Sequence, residues 1–249
     1  MSRSTQIEWT RASWNPVTGC TPVSTGCDHC YARRMALRLK AAGMKKYAHG
    51  FDVITHEREL QTPVKWKKPR VIFTCSMGDL FHEKVPVEFI ERVFDVMKKT
   101  DRHVYQVLTK RPERALKLAS KLPWPENVWL GTTVENADCI GRINLLRQVL
   151  DARLRFLSLE PLLGPLTDLD LNGIGWVIVG GESGPGAREM KKEWALEVRD
   201  ICLNADVPFF FKQWGGVQKK KKGRLLDGRL YSEMPEILTK GSPQLAFVP

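Results

Sequence analysis

From about residue 50 the chain alternates two kinds of hydrophobic pattern. Short runs are apolar almost without interruption: Val71-Ile-Phe-Thr-Cys75, Val104-Tyr-Gln-Val-Leu108, Val128-Trp-Leu-Gly131, Arg155-Phe-Leu-Ser-Leu159, Trp176-Val-Ile-Val179 and Pro208-Phe-Phe-Phe211. A strand with one face in water alternates apolar and polar residues, so runs without alternation predict strands covered on both faces, as in a parallel sheet. Between the runs, apolar residues recur every three or four positions. Val87, Ile90, Phe94 and Met97 follow Pro86, a favoured residue for a first turn, and Trp194, Val198, Ile201 and Ala205 form a second stripe. A third helix is expected from near Cys30 through Ala32, Met35, Ala36 and Leu39 to a stop at Gly43. Trp9 to Asn15 is expected to form a first strand. This order of strand, turn and helix predicts βαβ units and the α/β class.

No linker, internal repeat or low-complexity tract interrupts the pattern before residue 215. The expected organisation is therefore one domain over residues 1–215 and a C-terminal extension, 216–249, packed on or near it. In the extension, Lys219 to Lys222 form a basic run, Leu225 to Tyr231 predicts a hairpin turning at Asp227-Gly228, and Ser242 to Pro249 has no periodicity. A chain of 249 residues, 43% hydrophobic, buries a sizeable core. No run approaches 18 apolar residues and the N-terminus has no apolar leader segment, so a soluble, cytoplasmic protein is expected.

The cysteines carry the clearest chemistry. Cys20, Cys27 and Cys30 lie within eleven residues in a C-x6-C-x2-C spacing just ahead of a helix, while Cys75, Cys139 and Cys202 are scattered singly through apolar segments. This is no disulfide framework of a small secreted domain, and it points to a reducing compartment and a metal. A structural zinc site closes with four ligands, whereas three thiolates leave one iron of a [4Fe–4S] cluster open. Zinc with His29 as a fourth ligand is the alternative, although His29 adjoins Cys30 and no second C-x2-C pair follows.

A cysteine triad in the loop after the first strand, followed by βα repeats, resembles the radical S-adenosylmethionine (SAM) superfamily. The commonest superfamily spacing is C-x3-C-x2-C with an aromatic residue before the last cysteine. Here the first gap is longer, His29 takes the aromatic place and Tyr31 follows the last cysteine, so Cys27-Asp-His-Cys-Tyr31 more closely resembles the spore photoproduct lyase branch. Along most of its length the chain also resembles the phage gene-37/gene-68 products, through Trp14-Asn-Pro-Val-Thr-Gly-Cys20, Cys27-Asp-His-Cys-Tyr-Ala32, Ser76-Met-Gly-Asp-Leu-Phe81, Leu108-Thr-Lys-Arg-Pro112, Ser158-Leu-Glu-Pro-Leu162, Gly180-Gly-Glu-Ser-Gly184 and Phe211-Lys-Gln-Trp-Gly215.

The resemblance implies a partial (β/α)6–7 TIM-like barrel of the radical SAM type. It implies SAM on the open iron, a flavodoxin or ferredoxin type reductant, and a 5′-deoxyadenosyl radical that abstracts hydrogen. By the same resemblance, Gly78 and Asp79 are expected at the SAM amine, Lys110 and Arg111 at its carboxylate, and Thr133 and Glu135 at its ribose.

In a parallel barrel the reactive groups collect where strands end. Six strand ends here carry charged or hydroxyl residues, which nominates Glu160, Glu182, Arg188, Lys212 and Gln213 as substrate contacts, taken as a group. Gly180, Gly181 and Gly184 are read either as a close backbone approach to a ligand or as a glycine-rich turn. Tyr31 is a candidate radical relay, against a packing aromatic. Cys75 is a candidate hydrogen donor, against a core thiol.

A formal charge of +11 attracts polyanions, and it clusters at Arg33-Arg34, Lys45-Lys46, Lys65 to Arg70, Lys191-Lys192 and Lys219 to Lys222. Lys65 to Arg70 contains Trp66, which adds a stacking surface to its cations. The leading expectation is a radical SAM enzyme that repairs or modifies a base in DNA or RNA. The alternatives are a small-metabolite or peptide substrate, and a metal-stabilised nucleic-acid-binding protein without catalysis.

Overall fold

In the computed structural model, which describes residues 5, 7–218 and 223–236, strand and helix alternate along the chain. The order is β1 (Ala12–Trp14), β2 (Val17–Thr18), α1 (Tyr31–Ala41), β3 (Ile54–Thr55), β4 (Val71–Thr74), α2 (Val87–Lys99), β5 (Val104–Thr109), α3 (Pro112–Leu118), β6 (Val128–Thr133), α4 (Gly141–Arg147), β7 (Leu154–Leu159), β8 (Trp176–Gly180), α5 (Lys192–Asn204) and β9 (Phe209–Gln213). A hairpin, β10 (Leu225–Leu226) and β11 (Arg229–Leu230), follows. Each run expected to be a strand is one, with ends shifted by up to three residues.

Seven strands form one parallel sheet in the order β1-β4-β5-β6-β7-β8-β9, so every crossover moves to the next strand in the same direction. Alternate side chains divide between two cores. Phe73, Trp129, Phe156, Trp176, Ile178 and Phe210 face one side, with Trp9 from the segment before β1. Their neighbours, among them Ile72, Leu130, Leu157, Val177 and Phe211, face the helices. The Trp9 ring lies 4.7 Å from Phe73 of β4 and 6.1 Å from Trp176 of β8. In a flat sheet those strands would stand about 19 Å apart, four spacings of about 4.8 Å. One indole reaches both because the sheet curls, which is the partial barrel expected.

The other half of the alternation faces the helices. Helix α2 buries Phe89, Ile90, Val93, Phe94 and Met97, close to the expected stripe. Helix α5 buries Ala195, Val198 and Cys202, one step round from the expected face, and Ala205 is exposed because the helix has already ended. Beyond β9, residues 231–233 pair antiparallel with it: Phe211 N donates to Tyr231 O and Glu233 N to Phe209 O. Trp176 Nε1 donates to Glu233 O at 2.9 Å, tying the extension to the aromatic interior. The hairpin turns at Asp227-Gly228, with φ of 51° and 78°, the positive pair that a two-residue type I′ turn requires. Lys219 to Lys222 and the segment from Ser242 to Pro249 lie outside the described residues.

Candidate functional site

The inward parity of the strands continues past the aromatic layer to Lys110, Thr133, Ser158, Glu160 and Lys212, which stand at the ends where the chain leaves the sheet. Polar groups therefore sit over an apolar floor. Lys212 Nζ and Glu160 Oε1 pair at 2.8 Å with side chains only 17% and 12% exposed, and Ser158 Oγ donates to the other Glu160 oxygen at 3.3 Å. The Glu160–Pro161 peptide is cis. Tyr31 lies across the same end: half its surface is exposed, yet its hydroxyl donates to Ser76 O at 2.5 Å and burial at that end, with Cys30 and Glu160 nearby, raises its pKa.

The cysteine loop is held over this end by side chains from several strand ends. Ser24 Oγ donates to Glu135 Oε1 at 2.7 Å, and Gly26 lies so close that a Cβ there would come within 2.4 Å of the same oxygen. Glu135, wholly buried, also accepts from Lys110 Nζ at 2.5 Å and Arg142 Nη1 at 2.8 Å. Arg111 donates to Cys20 Sγ at 3.3 Å, to Thr21 O and Thr21 Oγ1 at 3.0 Å, to Asp79 Oδ2 at 3.3 Å and to Glu83 Oε1 at 2.8 Å. Glu182 accepts from Arg188 Nη2 at 2.6 Å and pairs with His29 Nδ1 at 2.8 Å, while Arg188 Nη2 donates to Thr25 O at 2.8 Å. Arg34 of α1 donates to Ser183 O and Pro185 O, and Gly184, at φ 105°, lets the guanidinium approach.

The ionisation of these groups follows from their neighbours. Burial alone would raise Glu135 and Glu182, but cations overrule it: Lys110 and Arg142 bring Glu135 down to about 2, and hydrogen bonds from Arg188 and His29 do the same for Glu182. Burial and the Asp79 carboxylate push the Cys20 thiol up to about 11 against the pull of Arg111. Such a thiol stays protonated until a metal cation displaces the proton.

The three cysteines of the loop are partly exposed, while Cys75, Cys139 and Cys202 are buried, and all six are free thiols. Among the described residues no three His, Cys, Asp or Glu side chains converge on a point the size of one ion. An iron–sulfur cluster binds each thiolate through a separate iron, so its ligands stand farther apart than those around a single zinc. Three thiols on one staked loop, with Arg111 against one sulfur, fit that group.

Several of the expected site residues already have protein partners. Asp79 is buried, and its oxygens already accept from Thr109 Oγ1 at 2.8 and 3.0 Å, from the Lys110 and Phe81 amides and from Arg111. Glu135, expected at a ribose, has both oxygens engaged by Ser24, Lys110 and Arg142. Glu182 and Arg188, expected at substrate, instead join each other to the cysteine loop. Gly78 backs onto Gly19 in a parallel bridge, leaving no room beside it for a side chain. Cys75, at φ 61°, packs in the helix-facing cluster with Trp14 and Val17, and burial pushes its thiol up to about 12.

The Lys65–Arg70 run, expected as a nucleic-acid contact, stands apart from the cysteine loop. It precedes β4, so it lies at the opposite end of the sheet from the cysteines. Trp66 is packed there, with Arg70 over its ring at 5.1 Å and His103 edge-on at 6.1 Å. Residues not foreseen include Ser24, Thr21, Arg34, Arg142 and His82. Thr21 Oγ1 and His82 Nε2 lie 2.8 Å apart, and the one sequence signal for His82 is its place directly after Ser76–Phe81.

A family described as "Protein of unknown function (DUF5131)" matches residues 4–235. The chain belongs to this family. The description of DUF5131 names neither an activity nor phage products. No match was found among the curated proteins. Among solved structures the DUF5131 chain is similar to a spore photoproduct lyase mutant with bound AdoMet and dinucleoside spore photoproduct, at 11% identity and a TM-score of 0.48. The likeness covers 72% of this chain and 58% of that one, so the chain spans less than two thirds of the length of that structure. No helix among the described residues is long and apolar enough to cross a membrane.

Proposed function

We propose that this chain is a radical SAM enzyme acting on a base in DNA or RNA. The observation that carries the reading is the loop of Cys20, Cys27 and Cys30, fixed over the polar end of a partial barrel by side chains from four other strand ends. With a [4Fe–4S] cluster on those cysteines and SAM bound to it, reductive cleavage of SAM supplies a deoxyadenosyl radical that abstracts hydrogen from the substrate.

The chain's own residues supply the rest. Glu135 and Glu182 position the cysteine loop, and Arg111 joins it to the β4 and β5 ends. Asp79 holds Arg111 and Thr109 and is thereby a positioning residue. Lys212 and Glu160 are the charged pair that faces the substrate, over aromatic rings that exclude water from below. Tyr31 covers the opening from the side of α1.

The nucleic-acid part rests on the net charge and on a groove at the start of α5. Lys191, Lys192 and Trp214 line this groove together with Glu189, Met190 and Glu193. Trp214 is oriented by donation from its Nε1 to Leu225 O at 2.9 Å. An aromatic ring beside cations suits a splayed single strand. The hairpin adjoins this groove, its Asp227 tied to Lys192 at 2.8 Å.

The test is anaerobic reconstitution with iron and sulfide, then dithionite and SAM, with 5′-deoxyadenosine followed by chromatography. Formation with the wild-type chain and none with the Cys20/Cys27/Cys30→Ala triple variant is expected. A protein that purifies with zinc and assembles no cluster overturns the reading and leaves a binding protein.

A further inference from the structure

Helix α1 starts directly after Cys30 and is about 16 Å long at 1.5 Å per residue, so its whole outer face lies near the cysteine loop. Among the described residues no element covers that face. Ala32 and Ala36 are its buried residues, whereas Arg33, Leu37 and Lys40 form an exposed ridge at i, i+4 and i+7, flanked by Arg38. On this helix Tyr31 is 51% exposed, Met35 41% and Leu37 50%, with Met44 just beyond it and Val23 of the cysteine loop each at 42%, five exposed large apolar side chains in one stretch of chain. No Asp or Glu occurs between Asp28 and Asp52, although Arg33, Arg34, Arg38, Lys40, Lys45 and Lys46 all fall there. Arg34 and Lys46 are used internally; Arg33, Arg38, Lys40 and Lys45 have no ion-pair partner among the described residues.

We infer that this face is the docking surface for an acidic electron-carrier protein. The inference rests on the radical SAM reading, which needs one electron delivered to the cysteine loop. The reduced carrier loses that electron and the cluster gains it, with no bond made or broken. Electron transfer falls off steeply with distance, so the carrier must touch surface close to the thiolates, and α1 is such a surface. Its chemistry suits a protein more than a nucleic acid. Methionine and aliphatic side chains ringed by cations match a small, transient interface with an acidic partner. A nucleic acid would be met by several exposed rings interleaved with the cations, and α1 carries one, Tyr31, at its first residue, ahead of the cations.

The test uses the reconstituted full chain, wild type and Arg33→Glu/Arg38→Glu/Lys40→Glu, with stopped-flow reduction of the cluster by reduced flavodoxin and, separately, by dithionite. Dithionite is expected to reduce both proteins equally. Flavodoxin is expected to reduce the variant at least ~10-fold more slowly at low salt, and added salt to slow the wild type, as for steered association. Equal rates with flavodoxin overturn the inference. So does a variant that keeps its flavodoxin rate but loses binding to a single-stranded oligonucleotide, which would make α1 a nucleic-acid surface. If no cluster assembles in the wild type, the radical SAM reading fails separately. Calorimetric titration of the chain as purified with oxidised flavodoxin then decides the surface: binding lost in the variant supports it, and equal or absent binding overturns it.

Discussion

Glu135 gives the sharpest quantitative expectation. Its carboxylate is wholly buried and accepts from Ser24, Lys110 and Arg142, so Glu135→Ala leaves two cations facing a void. Breaking a buried pair by removing one partner costs about 3–5 kcal/mol. The acid-base behaviour gives a second route: the gap between the ordinary 4.5 and about 2 is worth about 3 kcal/mol at about 1.4 kcal/mol per pH unit. The two agree, so a loss of about 3–4 kcal/mol is expected at pH 7 by urea unfolding of the metal-free protein.

The pH dependence has a fixed sign. The folded carboxylate has the depressed pKa, so its contribution is fully present above about 4.5 and disappears as pH falls through about 2. The gap between wild type and Glu135→Ala must narrow across that window. Glu135→Gln, which keeps an acceptor for Ser24, should lose less than Glu135→Ala. A Glu135→Ala loss under 1 kcal/mol, or a difference that does not change with pH, would refute the reasoning.

Two further outcomes follow from the interior. Trp176 meets Trp9, Trp129, Phe156 and Phe210 within 6.2 Å and donates to Glu233 O, so Trp176→Ala should destabilise by about 3–5 kcal/mol in the same assay and loosen the 231–233 segment to proteolysis. Iodoacetamide at neutral pH should label Cys27 and Cys30 of the metal-free native chain and leave Cys75 and Cys202 untouched, since burial pushes each of the latter thiols up to about 12. Early labelling of Cys75, read by peptide mass spectrometry, would contradict its place in the helix-facing core.

The strands were legible because burial on both faces writes itself as unbroken apolar sequence, and α2 was legible because thirteen residues show a full stripe. Helices α3 and α4 have seven residues each, too few turns for a period to stand out, and β2 and β3 have two each. The cysteine triad could be read from spacing alone. Its supports could not: Arg188 reaches Thr25 across 163 positions, and Ser24 reaches Glu135 across 111. Resemblance nominated Glu135, and its place at a strand end nominated Glu182, as ligand-binding acids, yet only three-dimensional neighbours show that their oxygens already have protein donors. Trp66 is a similar case, since a ring between cations looks free in sequence, whereas here it packs against Arg70 and His103.

The far-flung supports of the cysteine loop also set an order in time. Residues 20–30 leave the ribosome early, but the groups that shape them emerge late: Arg111, then Glu135 and Arg142, then Glu182 and Arg188. While these are missing the loop is a bare thiol-bearing segment with nothing to hold its three sulfurs apart. The chain must therefore be made at least through Arg188 before it presents a formed site, and a metal loaded sooner would meet an unstructured chelator. On the radical SAM reading, cluster loading would follow synthesis, and a nascent chain stalled before residue 180 should take up iron no better than a peptide of residues 1–30.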